Sequence, residues 1–322
     1  MIKLKGLLLT EGMHGMISQV EGLAKALDLD FIHEKIELNS FWKLFPPKVT
    51  PIQDFVFKNK INSHFDVVIS CGRKSVIPSI YLKKKFKNKI INIHIQEPKV
   101  SLKNFDYIVA PEHDGLFGDN VLTTKGAIHY ITQEDINREK NYLIEKFQLN
   151  DYFNENKLIA IILGGPNKYY SYSDTIIKRV FEKITTTFIE TGHQAIVIPS
   201  IRTPKRVIEI AQNHFDATEL VITEVDKKAY LSALGMAKYI IVTCDSTSMI
   251  SEAAATGKPI YVAQMPSQKK NLRFNKFFDL FDSLKITKIL NNKVEDWSYE
   301  KLDETNRIAK EIKKNINSHD FS

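Results

Sequence analysis

Short, wholly apolar runs alternate along this chain with longer stretches in which apolar residues recur at helical spacing, and the rhythm persists almost from end to end. A continuous apolar run marks a strand buried on both faces, so the pattern predicts parallel sheets covered by helices. In the first half, strands are expected at residues 3–9, 31–36, 66–70, 90–95 and 106–109, with a short one near Val121, and helices at 18–27 and 76–85. The segment Ser40-Phe41-Trp42-Lys43-Leu44-Phe45-Pro46-Pro47-Lys48 breaks the rhythm with aromatics and prolines. It reads as a packed loop, an acceptor-binding surface or an element that touches a membrane.

After Ile136 the chain turns polar and helical through residues 141–147, then crosses a polar connection at 150–157. A second alternation follows, with strands expected at 158–163, 194–198, 220–222, 239–242, 259–262 and 286–290 and a closing helix at 299–316. Two domains result, 1–150 and 151–322, the last helix packing back on the first. No internal repeat or low-complexity tract interrupts this symmetry of architecture.

Of the 322 residues 43% are apolar and 26% charged, a globular balance. No apolar run approaches the length of a bilayer, and Met1-Ile2-Lys3 leads directly into a strand, so neither a signal peptide nor a membrane span is expected. Two cysteines, Cys71 and Cys244, fall at strand ends in different halves, as buried thiols in a reducing cytoplasm would; they are too few for a zinc site. The formal charge of +7 favours an anionic partner, either a nucleotide sugar or an anionic lipid surface. A third candidate, nucleic acid, is disfavoured because no basic stripe with interleaved aromatics is present.

The richest chemistry lies in residues 244–260. The buried strand 239–242 runs into Asp245 and Ser246, which offer N-cap oxygens to a helix carrying Thr247 and Ser248. Such a helix start, with free amides and the positive end of its dipole, suits a diphosphate. Glu252, further along the same helix, is placed to accept hydrogen bonds from a ribose diol before Gly257 ends the helix. Gly164-Gly165, after the strand at 158–163, would bring amides close to the same diphosphate, and Arg202 would contact it from the next strand's loop. Ordinary helix capping, with Thr203 as cap and Pro204 at the first helical position, accounts for that loop equally well. Gly164, Arg202, Ser246 and Glu252 nevertheless fall on one edge of one sheet, the edge where open α/β sheets bind ligands.

In the first half the loop Thr10-Glu11-Gly12-Met13-His14-Gly15-Met16 carries two glycines, Gly12 and Gly15, that would let backbone approach a ligand. It lacks the three-glycine dinucleotide fingerprint, which disfavours a nicotinamide enzyme. Arg73 and Lys74 stand at a helix start where two cations oppose the dipole unless an anion joins them. Gln96-Glu97 and His113-Asp114 follow the next two strands. A base that accepts a proton from an acceptor hydroxyl would come from Glu11, His14, Glu97 or Asp114.

Taken together, the glycine loop near Gly12, Cys71-Gly72-Arg73, His94-Ile95-Gln96-Glu97-Pro98, Pro111-Glu112-His113-Asp114, Leu163-Gly164-Gly165, Ser200-Ile201-Arg202-Thr203-Pro204 and residues 245–259 resemble the mitochondrial-fission family named after its plant members. Glu97 and Lys99 stand where many members have Asp and Arg, and Ile201 where a second Arg is frequent, so a doubled arginine clamp is not expected. The resemblance implies a fold of two Rossmann-like domains facing each other across a cleft, as in GT-B glycosyltransferases, with the nucleotide sugar held by the C-terminal domain and the acceptor by the N-terminal one. It implies a transferase without cofactor or catalytic metal, in which Gly12, Gly15, Arg73, Gln96, His113, Asp114, Gly164, Gly165, Arg202, Thr203, Asp245, Ser246, Thr247, Ser248 and Glu252 bind substrates. Glu11, His14 and Glu97 would serve catalysis. A noncatalytic scaffold of the same fold, binding a partner or membrane, and a nucleotide-sugar epimerase are the competing functions.

Overall fold

Runs such as Leu7-Leu8-Leu9 and Val67-Val68-Ile69 have no polar face to turn to water, so they settle as strands covered on both sides. A computed structural model describes residues 3–58, 65–149, 154–215 and 219–316. The strands form two parallel sheets, one in each of two units: the stretch up to Tyr130 with the segment from Asp303, and Ile131–Leu302.

The first unit runs β1 (Lys5–Thr10), α1 (His14–Ala26), β2 (Asp30–Lys35), β3 (Val67–Cys71), α2 (Val76–Phe86), β4 (Ile91–Ile95), β5 (Tyr107–Pro111) and β6 (Val121–Thr124). Its sheet order is β2-β1-β3-β4-β5-β6. Alternate side chains divide between the faces: Leu8, Ile69 and Ile93 meet Val20 and Leu23 of α1, while Leu7, Leu9 and Val68 meet Ile77 and Ile80 of α2. Because α1 begins at His14 rather than at Ser18, Gly15 sits in its first turn and the loop after β1 is shorter than expected. Between β2 and β3 the aromatic segment folds as short 3₁₀ turns at Trp42–Leu44, Pro47–Val49 and Asp54–Val56. Trp42 packs on Phe41, Phe45 and Phe55.

The second unit continues α3 (Gln133–Glu139), α4 (Tyr142–Phe147), β7 (Leu158–Leu163), α5 (Asp174–Thr187), β8 (Gln194–Pro199), α6 (Lys205–His214), β9 (Leu220–Val221), α7 (Lys227–Met236), β10 (Tyr239–Thr243), α8 (Thr247–Ala254), β11 (Ile260–Ala263), α9 (Leu272–Ser283) and β12 (Thr287–Ile289). Its sheet order is β12-β11-β10-β7-β8-β9. The polar helices α3 and α4, which the sequence places ahead of the connection, pack on α7: Ser232 Oγ donates to the Lys140 carbonyl at 2.7 Å and accepts the Leu143 amide at 3.2 Å. Of the expected connection, residues 150–153 lie outside those described.

The closing helix, α10 (Glu304–Ile316), starts five residues later than the expected 299. Trp297, Tyr299 and Leu302 are apolar at suggestive spacing, yet they pack as irregular chain on the second unit's core. Ile308, Ile312 and Ile316 of α10 instead join the α1 face of the first unit's core. Among the described residues no helix is long and apolar enough to cross a membrane.

Candidate functional site

In a parallel sheet every strand delivers its following loop to the same edge, so the neighbours β10, β7 and β8 bring residues 164–167, 200–204 and 244–248 together. Asp245 is the hub, its side chain fully buried. It accepts the Gly165 amide at 3.0 Å, the Thr243 hydroxyl at 2.8 Å, the Tyr172 hydroxyl, and a guanidinium N–H of Arg202 at 2.9 Å. A second Arg202 nitrogen donates to the Gly165 carbonyl at 3.0 Å, and the Gly164 amide donates to Thr243 Oγ1 at 2.8 Å. A buried carboxylate survives only when charge and hydrogen bonds surround it, and here the loops after β7 and β8 and the end of β10 supply them.

This arrangement revises several expectations. Asp245 does not cap α8; Ser246 alone does, accepting the Met249 amide at 3.4 Å. Thr203 does not cap α6 either. Its hydroxyl accepts the Ser200 amide at 2.8 Å and faces the Leu163 and Gly164 carbonyls, while Pro204 stands at the N-cap without a capping side chain. Gly164 and Gly165 are required by packing: a Cβ on Gly164 would lie 2.2 Å from Asp245 Oδ2, and one on Gly165 2.0 Å from the Arg202 carbonyl. The chain passes Gly257, at φ 75°, only after α8 has ended at Ala254.

What remains for a ligand at this edge is specific. Arg202 uses two nitrogens inward while 41% of its side chain stays exposed. Thr247 and Ser248 lie in the first turn of α8, half-buried, where helical amides lack intrahelical partners. Glu252, one turn deeper, is buried and accepts the Tyr230 hydroxyl at 2.9 Å. Burial pushes its carboxyl up to about 7, the Tyr230 hydrogen bond countering only part of that rise. Thr243, Tyr172 and Tyr230 escaped the sequence reading; a polar residue ending an otherwise apolar strand was the one available sign, for Thr243.

The first unit's edge is assembled differently. The loops after β1, β3, β4 and β5 leave neighbouring strands, so Gly12, Arg73, Gln96 and Glu97, and His113 and Asp114 do share an edge, with His14 and Gly15 in the α1 turn beside them. Among the described residues their side chains are tied in separate pairs, with no shared hub. Glu11 pairs with Lys74 Nζ at 2.8 Å and accepts the Lys74 amide at 3.0 Å. The anion that the Arg73-Lys74 pair called for is therefore supplied by the chain itself, and Arg73 turns to the Lys43 carbonyl at 2.9 Å. Glu97 pairs with Lys99, and His14 Nε2 lies 3.2 Å from the Tyr130 hydroxyl. His113 Nε2 and Asp114 Oδ1 are buried 3.7 Å apart. Gln96 and Lys99 hold φ of 81° and 59°, so two side-chain-bearing residues flanking Glu97 sit in the left-handed region that glycine favours. Gly15 has open space where a Cβ would point.

Comparison with known proteins follows the same lines. A family model described as mitochondrial fission ELM1 matches residues 14–316. An uncharacterised protein of Rickettsia prowazekii is 28% identical over 281 residues, 77% of this chain and 79% of that one. The mitochondrial fission protein ELM1 of Arabidopsis thaliana is 23% identical over 282 residues, 80% of this chain and 65% of its own length. Among solved structures, the MnaA–UDP structure from S. aureus shares 15% identity and a TM-score of 0.54, covering 98% of this chain and 97% of that one. UDP-GlcNAc 2-epimerase from Neisseria meningitidis, bound to UDP-GlcNAc, shares 13% and 0.52, covering 98% and 100%. The fold of two Rossmann-like units is therefore shared with GT-B-type nucleotide-sugar enzymes.

Proposed function

The chain belongs to the mitochondrial fission ELM1 family, and we propose that it is a metal-independent glycosyltransferase that moves a sugar from a nucleoside-diphosphate donor to an acceptor held by the first unit. The observation that carries this reading is the Asp245 network, which fixes the Gly164-Gly165 loop and Arg202 beside the start of α8 without any ligand's help. Such prearrangement is what a site needs in order to stabilise charge as it develops on a leaving diphosphate. The amides of Ser246, Thr247 and Ser248, the dipole of α8 and the outward N–H groups of Arg202 would take the place of a cation. Glu252 would accept the ribose diol. Asp245, Thr203, Gly164 and Gly165 would act by shaping the edge.

On the first unit, Gly12, Gly15, Arg73, Gln96, His113 and Asp114 would hold the acceptor, and Glu11, His14 or Glu97 would accept its hydroxyl proton. The two free cysteines, both buried, suit the reducing cytoplasm, and the net charge of +7 suits peripheral contact with an anionic membrane. Epimerisation of a nucleotide sugar is the second reading, favoured by the fold shared with UDP-GlcNAc 2-epimerases.

Thermal shifts with UDP, GDP, CMP and their sugars, without added metal, test the donor site, since a ligand that binds only the native state raises its melting temperature. A selective shift that Arg202→Ala abolishes is expected. The absence of a shift with every nucleotide would sink the donor reading in favour of a scaffold. Incubation with the stabilising sugar then separates the two chemistries: transfer releases nucleoside diphosphate, whereas epimerisation returns an altered nucleotide sugar with no acceptor present.

A further inference from the structure

The first unit contains a cavity of about 560 Å³ that no candidate catalytic group except Glu97 touches. Ile52, Ile80, Val100 and Leu116 give it an apolar part of its lining, and Lys48 stands at it with the Glu97–Lys99 ion pair. One wall is the segment of 3₁₀ turns after β2, which supplies Pro47, Lys48, Thr50 and Ile52. That same segment turns large apolar side chains to water: Phe41 is 61% exposed, Leu44 79%, Val49 60% and Phe55 55%. Across the cavity, Leu116 lines it while its neighbour Phe117 is 82% exposed. Single exposed apolar residues need no explanation, but four within fifteen residues, beside Lys43 and Lys48, make the segment that walls the cavity an exposed aromatic and basic rim. Rings at a headgroup boundary with lysines among them match the chemistry of an anionic bilayer surface.

We infer that this cavity and its rim are a lipid-binding site: the rim seats on an anionic membrane and the cavity takes the hydrocarbon chain of an anionic lipid. Its role as the acceptor site rests on the transferase reading; lipid binding itself does not. The cavity volume lies within the range of small-ligand pockets, and Arg73, through the Lys43 carbonyl, ties the rim to the strand edge where acceptor chemistry is proposed.

Co-sedimentation with vesicles of equal parts phosphatidylglycerol and phosphatidylcholine tests the rim, and phosphatidylglycerol carrying a diazirine in its acyl chain tests the cavity. Binding to the mixed vesicles should fall about tenfold or more in Phe41→Ser/Leu44→Ser and in Lys48→Glu, and on phosphatidylcholine alone. Photolabelling should mark peptides containing Ile52 or Leu116, and Val100→Trp, which fills the cavity, should abolish the label while vesicle binding persists. Unchanged melting temperatures and UDP shifts identify variants that remain folded. Vesicle binding indifferent to the rim substitutions, or labelling confined to other peptides, overturns the inference. Because the UDP shift reads the second unit alone, an unsubstituted chain that gives the shift but does not bind the mixed vesicles rejects the lipid site, whereas one that binds the vesicles without a shift rejects the donor site.

Discussion

The carboxyl edges of the two sheets are built from similar residue types, yet they are held in opposite ways. In the second unit a single buried carboxylate, Asp245, gathers the loops after β7, β8 and β10 into one network. In the first unit the polar groups close in separate pairs: Glu11 with Lys74 of the loop after β3, Glu97 with Lys99, and Asp114 beside His113. A shared hub makes the geometry of one loop depend on all the others and fixes it before a ligand arrives. Separate pairs couple at most two loops at a time, as Glu11 and Lys74 couple those after β1 and β3. On the transferase reading, the first arrangement suits a donor whose diphosphate and ribose are chemically constant.

The sharpest way to break this contrast is to remove one carboxylate from each edge. Asp245→Ala would leave the Arg202 guanidinium, the Gly165 amide and the Tyr172 hydroxyl without their common acceptor inside the fold. Urea denaturation should show a loss of about 2–5 kcal/mol, since a buried donor left without its acceptor costs about 1–3 kcal/mol and several donors share this one. Glu11→Ala removes one ion pair and the acceptor of one amide, at a carboxylate that unlike Asp245 keeps contact with water, and about 1 kcal/mol is expected. Equal losses at the two positions would erase the distinction between hub and local pair.

Glu252 sharpens the comparison through pH. Its carboxyl, raised to about 7 by burial, binds a proton more tightly in the folded chain than in the unfolded one. Stability from this group is therefore complete below the ordinary carboxyl range and declines as pH rises through 7. Glu252→Gln keeps an acceptor for the Tyr230 hydroxyl and removes the titration. Relative to the parent it should gain about 2–3 kcal/mol between pH 5 and pH 8. The ribose diol donates best to an ionised carboxylate, so the parent's UDP affinity should rise across the same window by more than the variant's. A stability difference flat in pH would remove the buried acid from the account.

What was legible in the residues follows the range of the forces involved. Strands such as Leu158–Leu163 and Tyr239–Thr243 were readable because a fully buried strand must be apolar throughout, whatever its neighbours. The start of α10 was misread because Tyr299 and Leu302, three residues apart, look like a helix's apolar stripe, whereas they serve as single anchors of irregular chain on the second unit's core. Asp245 before Ser246 has every local mark of an N-cap. Its actual partners lie 43 residues away at Arg202 and 73 at Tyr172, and no local pattern encodes them. The site edge could be located from topology, but the hub within it could not.

Two glycines, one on each edge, separate packing from ligand approach. Gly165 lies where a Cβ would meet the Arg202 carbonyl at 2.0 Å, and backbone cannot yield as a flexible side chain does. Gly165→Ala should cost about 1–3 kcal/mol by overpacking, and it should weaken UDP binding by displacing Arg202. Gly15, in the first turn of α1, has no atom within reach of an added Cβ, and alanine there also favours the helix. Gly15→Ala should hence leave the melting temperature unchanged or slightly raised. If turnover with an acceptor nevertheless falls while stability and UDP binding hold, the space beside Gly15 is substrate space, and the first unit's edge is open for the reason the second unit's is closed.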